Sequence, residues 1–394
     1  DRHGHDAGAH QTPARTGTVV MSGPVILAAG GTGGHLFPAI ALGQELMRRG
    51  HAIAAVTDQR GGELAERLEG VPVHHLRASA MSGRSLKGKI TGAVDLLLGT
   101  LDARRLLKTM TPSAVVGFGG YPTVPPLLAA QRLGLSTIIH EQNAVLGRAN
   151  KLLAHKVDLV ATSFEHTRGV DDRKVLLCGN PVRAEVAALA DQPYRPPNGD
   201  GRLRVLVFGG SQGARVLSDI LPAALAKLPS GARQRLVMTQ QCRSEDIDRV
   251  RAAYDDMGVV SEVATFFDDM ASRLGQAQLV ICRAGASSIA ELTVSGRPSI
   301  LVPYPHATDD HQTANARAVE EAGAGWLMHE PAFTPEALAA RLEAFVACPA
   351  ALVDAAAAAR RSARADATHR LAEAVESYLG SNGHNDTGFR EAAA

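Results

Sequence analysis

The residues of this chain that could do chemistry stand beside glycine loops. Gly30-Gly31-Thr32-Gly33-Gly34 runs directly into His35. Backbone N–H groups of such a loop approach an oxygen-rich anion closely, and a helix starting there adds its positive end. An imidazole in that place is a general base with a pKa lowered by the dipole, or a histidine that caps the helix. His140-Glu141-Gln142-Asn143 follows a buried-strand pattern, and four consecutive hydrogen-bonding side chains at a strand end point to function rather than to packing only. In the second half, Gly209-Gly210-Ser211-Gln212-Gly213 is another anion cradle. Arg283-Ala284-Gly285-Ala286-Ser287-Ser288 is a turn of small residues that leads to Glu291. A carboxylate there accepts from two ribose hydroxyls, or is an ordinary first-turn acid of a helix. His311-Gln312 and Asn315 suit sugar hydroxyls, or are polar residues near a helix start.

Taken alone, the first loop leaves two other readings open. The dinucleotide fingerprint G-x-G-x-x-G is met at Gly31 and Gly33, but Leu36 holds the last glycine's place. Asp58 ends the next strand, where a ribose-binding acid belongs. A nicotinamide enzyme is therefore a rival on this motif, and a tight turn packing a helix on a sheet is the plain alternative.

The elements that position these residues alternate in type. Apolar runs predict strands at 25–29, 51–57, 71–77, 114–117, 137–140, 159–161 and 174–177. Further strands are predicted at 204–208, 235–238, 279–282 and 299–303, with helices from about Pro38 to Arg49, over 64–68 and over 216–227. The alternation implies βαβ units and a parallel sheet with helices on both faces. Residues 25–46 and 204–225 repeat the pattern strand, Gly-Gly-Thr/Ser-x-Gly, helix at an offset of 179. One such unit opening each half predicts two doubly wound domains facing each other. The Pro/Gly-rich stretch 195–202 reads as a loop beside the boundary. Residues 355–379 are Ala-rich and helical in propensity, and the tail from 381 to 394 is read as disordered.

Composition narrows the function classes. The 394 residues carry 41 Lys+Arg against 40 Asp+Glu, a net charge of +1, which excludes a strongly basic nucleic-acid binder. Aromatic residues make up 4%, too few for a base-stacking platform. Cys178, Cys242, Cys282 and Cys348 are far apart and form no C-x-x-C pair, so a zinc cage is not indicated and a reducing compartment fits. Residues 16–44 and 109–131 lack Asp, Glu, Lys and Arg, but glycines and prolines interrupt both, so neither makes a clean spanning helix. Residues 1–20 are polar and lack the apolar region of a signal peptide. Met21 is read as the native start, with 1–20 a disordered extension.

The ordered set GGTGGH, GFGGY, HEQN, NPVR (180–183), GGSQGA and CRAGASSIAE resembles the MurG family, from about Val25 to Leu379. These are the UDP-N-acetylglucosamine:N-acetylmuramyl-(pentapeptide) pyrophosphoryl-undecaprenol N-acetylglucosamine transferases of bacterial cell-wall synthesis. The resemblance implies an α/β GT-B fold: two Rossmann-like, doubly wound parallel-sheet domains with an interdomain cleft. The boundaries implied are 21–183 for the acceptor and membrane domain and 184–365 for the UDP-GlcNAc domain, with a helix at about 366–380 packing back on the first. The reaction implied is inverting transfer of GlcNAc from UDP-GlcNAc to lipid I, giving lipid II. A different UDP-sugar enzyme of the same fold (an epimerase or a soluble-acceptor transferase) and a dinucleotide-dependent oxidoreductase are the alternatives.

Residue by residue, the resemblance assigns the donor to Thr32, Gly33, Gly34, Asn143, Arg183, Ser211 and Phe267, to Ala286, Ser287, Ser288, Ile289, Ala290 and Glu291, and to Gln312. Within that set Glu291 holds the ribose, Ser211 the phosphates, Gln312 the GlcNAc hydroxyls and Phe267 the uracil through its backbone. His311 departs from the pattern, standing where many relatives have a second glutamine. His35 is the candidate base and Glu141 its rival. Backbone N–H groups, a helix N-terminus and Arg183 meet the charge of leaving UDP, so no metal and no cofactor are expected. Tyr121, Arg84, Lys87 and Lys89 are assigned to the acceptor and membrane side. The apolar 90–98 segment flanked by basic residues suits peripheral binding to an anionic lipid surface, or is an amphipathic core helix. The expected partners are UDP-GlcNAc, lipid I, that membrane surface and other wall-synthesis or division proteins. The expected location is the cytoplasmic face of the bacterial plasma membrane.

Overall fold

A computed structural model describes residues 23–30, 33–58, 66–77, 86–171, 174–197, 201–210 and 213–379, the side chains of 86–90 excepted. Thr32, Ser211 and Arg84, the side chains of Lys87 and Lys89, and the two terminal segments 1–20 and 381–394 lie outside the described residues. The described part holds two fully parallel sheets. The first contains β1 (Val25–Ala28), β2 (Ile53–Thr57), β3 (Val73–His75), β4 (Ala114–Gly117), β5 (Ser136–Glu141), β6 (Leu159–Thr162) and β7 (Val175–Leu177), in the order β3-β2-β1-β4-β5-β6-β7. The second contains β8 (Leu203–Phe208), β9 (Leu236–Gln241), β10 (Val260–Ala264), β11 (Leu279–Cys282), β12 (Ser299–Leu301) and β13 (Gly325–Leu327), in the order β10-β9-β8-β11-β12-β13. Both orders start from the repeated unit and reverse beside it, so each half is a Rossmann-like doubly wound sheet.

Burial explains why these segments are strands. All four residues of β1 and of β4 are buried, as expected of parallel strands covered on both faces by helices. In register, Val25 faces Ile53 on one side and Ala114 on the other, and Val205 likewise sits between Met238 and Leu279. The reversal places β1 next to β4 and β8 next to β11. Each pair delivers two loops to one carboxyl edge, where open α/β sheets bind ligands.

Three local differences from the sequence reading have physical causes. The first helix runs Gly33–Arg48 with Pro38 inside it, rather than starting at the proline. Pro38 lacks the N–H that would reach back to Gly34 O, so the helix gives up one hydrogen bond near its start while its buried face, with Leu36, Ala39, Ile40 and Leu42, carries it through. The Ala-rich stretch starts earlier than residue 355 and comprises two helices, Ala350–Ser362 and Ala367–Ser377. The second packs Leu371, Ala372, Ala374 and Val375 into the first domain's core, beside Leu42 and Leu46. Glu376 joins Arg49 at 2.6 Å and His51 at 2.8 Å there. Strands β10 and β13 have no counterpart in the sequence reading. β10 is an edge strand with one fully buried residue, and β13 is three residues long, so neither shows a clear apolar run.

Candidate functional site

In the first domain the loops after β1 and β4 are tied together. Gly30 N–H donates to Gly119 O at 3.1 Å, and Phe118 N–H donates to Ala28 O at 2.8 Å. His35, on the first turn of the helix Gly33–Arg48, lies in the crevice between them. A Cβ on Gly119 would come within 3.0 Å of the ring's Cδ2, and one on Gly120 within 3.4 Å of Nδ1. Both glycines have positive φ, 94° and 78°, so the loop needs them for conformation as well as for space. Burial holds the His35 pKa down at about 4, and electrostatic interaction with His311 pushes the same way. The ring is therefore neutral at pH 7, the form a base requires. Tyr121 follows as the first residue of a short 3₁₀ turn, Tyr121–Thr123.

The four residues 140–143 divide their work. His140 is fully buried: its Nε2–H donates to Gly179 O at 3.0 Å, and Gln142 Nε2 donates to its Nδ1 at 3.0 Å. Burial lowers its pKa to about 4, fixing a neutral imidazole. Gln142 also donates to Phe118 O at 2.9 Å, bracing the second glycine loop. Glu141 is buried and accepts four hydrogen bonds. Its Oε1 takes Asn143 N–H at 3.0 Å and Asn143 Nδ2 at 3.2 Å, and its Oε2 takes Gly147 N–H and Asn150 Nδ2, both at 2.8 Å. The carboxylate thus folds the loop after β5. Asn150 was not singled out from the sequence. Its signal is a buried amide on the helix just after the motif, donating to both His140 O and Glu141.

Asn143 meets the second domain. Asn315 Nδ2 donates to Asn143 Oδ1 at 3.1 Å and to Ala284 O at 3.1 Å, while Asn315 Oδ1 accepts Ala144 N–H at 2.8 Å. Asn315 is fully buried, so these bonds hold the two loop systems against each other without competition from water. The sequence suggested a sugar contact for it. The structure makes it a bridge between domains.

Across the cleft, the helix Ala286–Ser295 starts at Gly285 with no side-chain cap. Its first N–H groups are therefore open to an anion. Ser287 Oγ is buried and without a partner among the described residues. Glu291 lies one turn further on, and Arg183 Nε and Nη2 both reach its Oε1 at 2.9 Å. Burial raises the Glu291 carboxyl above its ordinary range, and Arg183 offsets only part of that. Gln312 is oriented by Tyr304, whose N–H donates to Oε1 at 2.9 Å, which turns Nε2 toward other partners. Phe267 is buried under Arg273, 3.9 Å from guanidinium carbon to ring centre, so its ring is packed away and its backbone remains for a ligand. Ile289 is buried and Ala290 half-buried; with Ala286 their side chains form an apolar face of the helix turned away from Glu291, so of the donor contacts expected of these three only backbone ones fit this geometry. The helix Leu86–Met110 stands apart from this cleft. Val94, Leu97, Leu98 and Leu101 are exposed along it at spacings of three and four, one apolar stripe.

Comparison with known proteins places the chain in a family. Residues 25–162 match the glycosyltransferase family 28 N-terminal domain, and residues 204–371 match its C-terminal domain. A UDP-N-acetylglucosamine–N-acetylmuramyl-(pentapeptide) pyrophosphoryl-undecaprenol N-acetylglucosamine transferase of Rhodospirillum centenum is 54% identical over 355 residues, covering 89% of this chain and 93% of that protein. The transferase of the same name from Rhodospirillum rubrum is 48% identical over 363 residues, covering 92% and 94%. The crystal structure of Acinetobacter baumannii MurG superposes with a TM-score of 0.75 at 31% identity, covering 90% of this chain and 99% of that one. The chain belongs to the MurG family of N-acetylglucosamine transferases, within glycosyltransferase family 28.

Proposed function

We propose that this enzyme transfers GlcNAc from UDP-GlcNAc to the 4-hydroxyl of the MurNAc unit of lipid I, with inversion at the anomeric carbon, and so makes lipid II. The observation that carries the reading is the bridged cleft. His35 and its glycine crevice stand on one wall, and the open helix N-terminus with Ser287, Glu291 and Arg183 on the other. The Asn143–Asn315 contact fixes the two together. Family membership supplies the substrates.

In this reading the diphosphate rests on the N–H groups of Ala286, Ser287 and Ser288 and on the Ser287 hydroxyl. Glu291, half-buried, takes the ribose hydroxyls on Oε2, the oxygen that the two Arg183 contacts to Oε1 leave open. Gln312 and Asn143 orient the GlcNAc, and the backbone at Phe267 meets the uracil. The acceptor hydroxyl attacks the anomeric carbon in line as the bond to the UDP oxygen breaks. His35, neutral and half-buried, takes the hydroxyl proton. Arg183 and the helix dipole stabilise the negative charge on UDP. Glu141 has all its lone pairs engaged, so it serves as the holder of the Asn143 loop rather than as the base.

The acceptor is lipid-linked, and the exposed stripe Val94, Leu97, Leu98 and Leu101 is the surface suited to meet a bilayer. Arg104, Arg105 and Lys108 follow it on the same helix and suit anionic headgroups. Among the described residues no single helix is long and apolar enough to cross a membrane. Peripheral attachment at the cytoplasmic face is the matching arrangement. Titration with UDP-GlcNAc and with NAD tests the donor assignment. Saturable binding of the first alone supports it, and binding of NAD alone contradicts it.

A further inference from the structure

A cavity of about 630 Å³ lies between the domains, away from the donor-facing side of the helix Ala286–Ser295. Ala286, Ile289, Ala290 and Thr293 line it. At 3.6 residues per turn these four share one face, and Glu291 with its Arg183 partner points well over a right angle away. Two features of the walls are unusual. Asn180 is 5% exposed, lines the cavity, and has neither amide atom hydrogen-bonded among the described residues. A buried amide unsatisfied at both ends is rare in native proteins and marks a place where a ligand or an ordered water belongs. The second feature is a set of guanidinium groups gathered from both domains. Arg168 comes from the loop after β6, Arg317 from the helix His311–Glu321, and Arg361 and Arg364 from the segment that returns to the first domain. Arg168, Arg317 and Arg361 form no ion pair among the described residues, and Arg364 reaches only its neighbour's carbonyl, Ala363 O at 3.1 Å.

A planar guanidinium fork matches a carboxylate or a phosphate, and several converging forks select such a group by geometry. Glu165, Asp310 and Glu321 also line the cavity, so the field alone does not make it an anion sink. The wall formed by Ala286, Ile289 and Ala290, with Phe164 opposite, is apolar. Pockets between domains with apolar walls and a few converging polar groups are where small molecules bind. We infer that this cavity binds a small amphiphilic anion, a phosphate or carboxylate on a short apolar body, held by the arginines and the Asn180 amide at a site separate from the donor face. Ala144 and Asp310 are also on its wall, next to Asn143 and His311, so its occupant touches the residues that join the domains.

Isothermal titration of the full chain tests this, with UDP kept saturating so that the diphosphate cradle is filled. The probes are hexyl phosphate, hexanoate, inorganic phosphate and hexanol. The inference predicts saturable one-to-one binding of hexyl phosphate or hexanoate, whichever headgroup the forks prefer. Inorganic phosphate and hexanol then bind at least ten-fold more weakly. The double variant Arg317→Ala/Arg361→Ala, changed only at exposed positions, loses at least ten-fold in affinity while keeping its UDP titration and melting temperature. No saturable binding of either amphiphilic anion, or unchanged affinity in the double variant, overturns it. UDP affinity is read separately, so failure here is distinct from failure of the transferase reading.

Discussion

Asn315 and Asn143 join the two domains through a single amide–amide hydrogen bond of 3.1 Å, and Asn315 is fully buried where it makes it. The same side chain also satisfies Ala144 N–H and Ala284 O. Replacing it by alanine strands buried groups on both sides, at a cost of about 1–3 kcal/mol for an unmet buried donor. Asn315→Ala is therefore expected to lower thermal stability and to raise the KM for UDP-GlcNAc more than it lowers kcat. A KM equal to wild type in a destabilised Asn315→Ala would show that the bridge does not set the donor side of the cleft.

His35 and Glu141 are separated by a pair of substitutions. His35→Ala is expected to cut kcat by about 10²–10⁴, the usual contribution of a positioned base. Because burial holds the His35 pKa at about 4, the wild-type kcat/KM is expected to stay flat from pH 7.5 down to about 5.5, with no inflection near the ordinary histidine value of 6.5. Glu141→Gln turns one acceptor end into a donor facing donors. It is expected to act through stability and donor KM while leaving the pH profile in place. Unchanged turnover in His35→Ala at saturating substrates would remove the imidazole from the chemistry.

His140 makes stability depend on pH in a stated direction. Its folded pKa is about 4, below the unfolded value near 6.5. Above pH 6.5 the ring is neutral in both states and contributes nothing to the slope. Between 6.5 and 4 the unfolded chain binds a proton that the folded chain refuses, so stability falls as pH falls. The full span is worth about 3 kcal/mol for this group. Urea midpoints are expected to drop between pH 7 and pH 5, and to drop less in a folded His140→Asn variant. An identical drop in that variant would remove His140 as the cause.

The apolar stripe on the helix Leu86–Met110 has no structural reason to be apolar. Leu97 is 61% exposed and Leu101 42%. Leu97→Asp/Leu101→Asp is expected to change folding stability by no more than about 0.5 kcal/mol per site, as for ordinary surface positions. Binding to vesicles of phosphatidylglycerol is expected to fall at least ten-fold, and high salt to weaken the wild type as well. Equal flotation of wild type and variant would place the membrane surface elsewhere.

Much of the fold is legible in the residues, because parallel strands buried on both faces leave continuous apolar runs such as 25–28 and 114–117. Strand β10, exposed at the sheet edge, leaves no such run. Pro38 misleads as a helix start because proline favours the first helical position, whereas here it sits inside the helix and is held there by the buried face around it. At the site, residue types announce hydrogen bonding but not its direction. Glu141 and Asn143 are adjacent in sequence, yet one is saturated by the fold and the other faces the partner domain. Asn315 reads as a sugar ligand or as a polar residue near a helix start until the second domain is placed against the first. Such pairings depend on tertiary contacts 172 residues apart and have no local signature.

The most direct test of the central claim is transfer of labelled GlcNAc from UDP-GlcNAc to a short-chain lipid I analogue by the full chain, in the presence of excess EDTA. The account predicts a β-linked disaccharide product at the MurNAc 4-hydroxyl, stoichiometric release of UDP, and a rate unaffected by the chelator. Absence of that product from a folded, UDP-GlcNAc-binding enzyme would contradict it, and so would complete dependence on added magnesium.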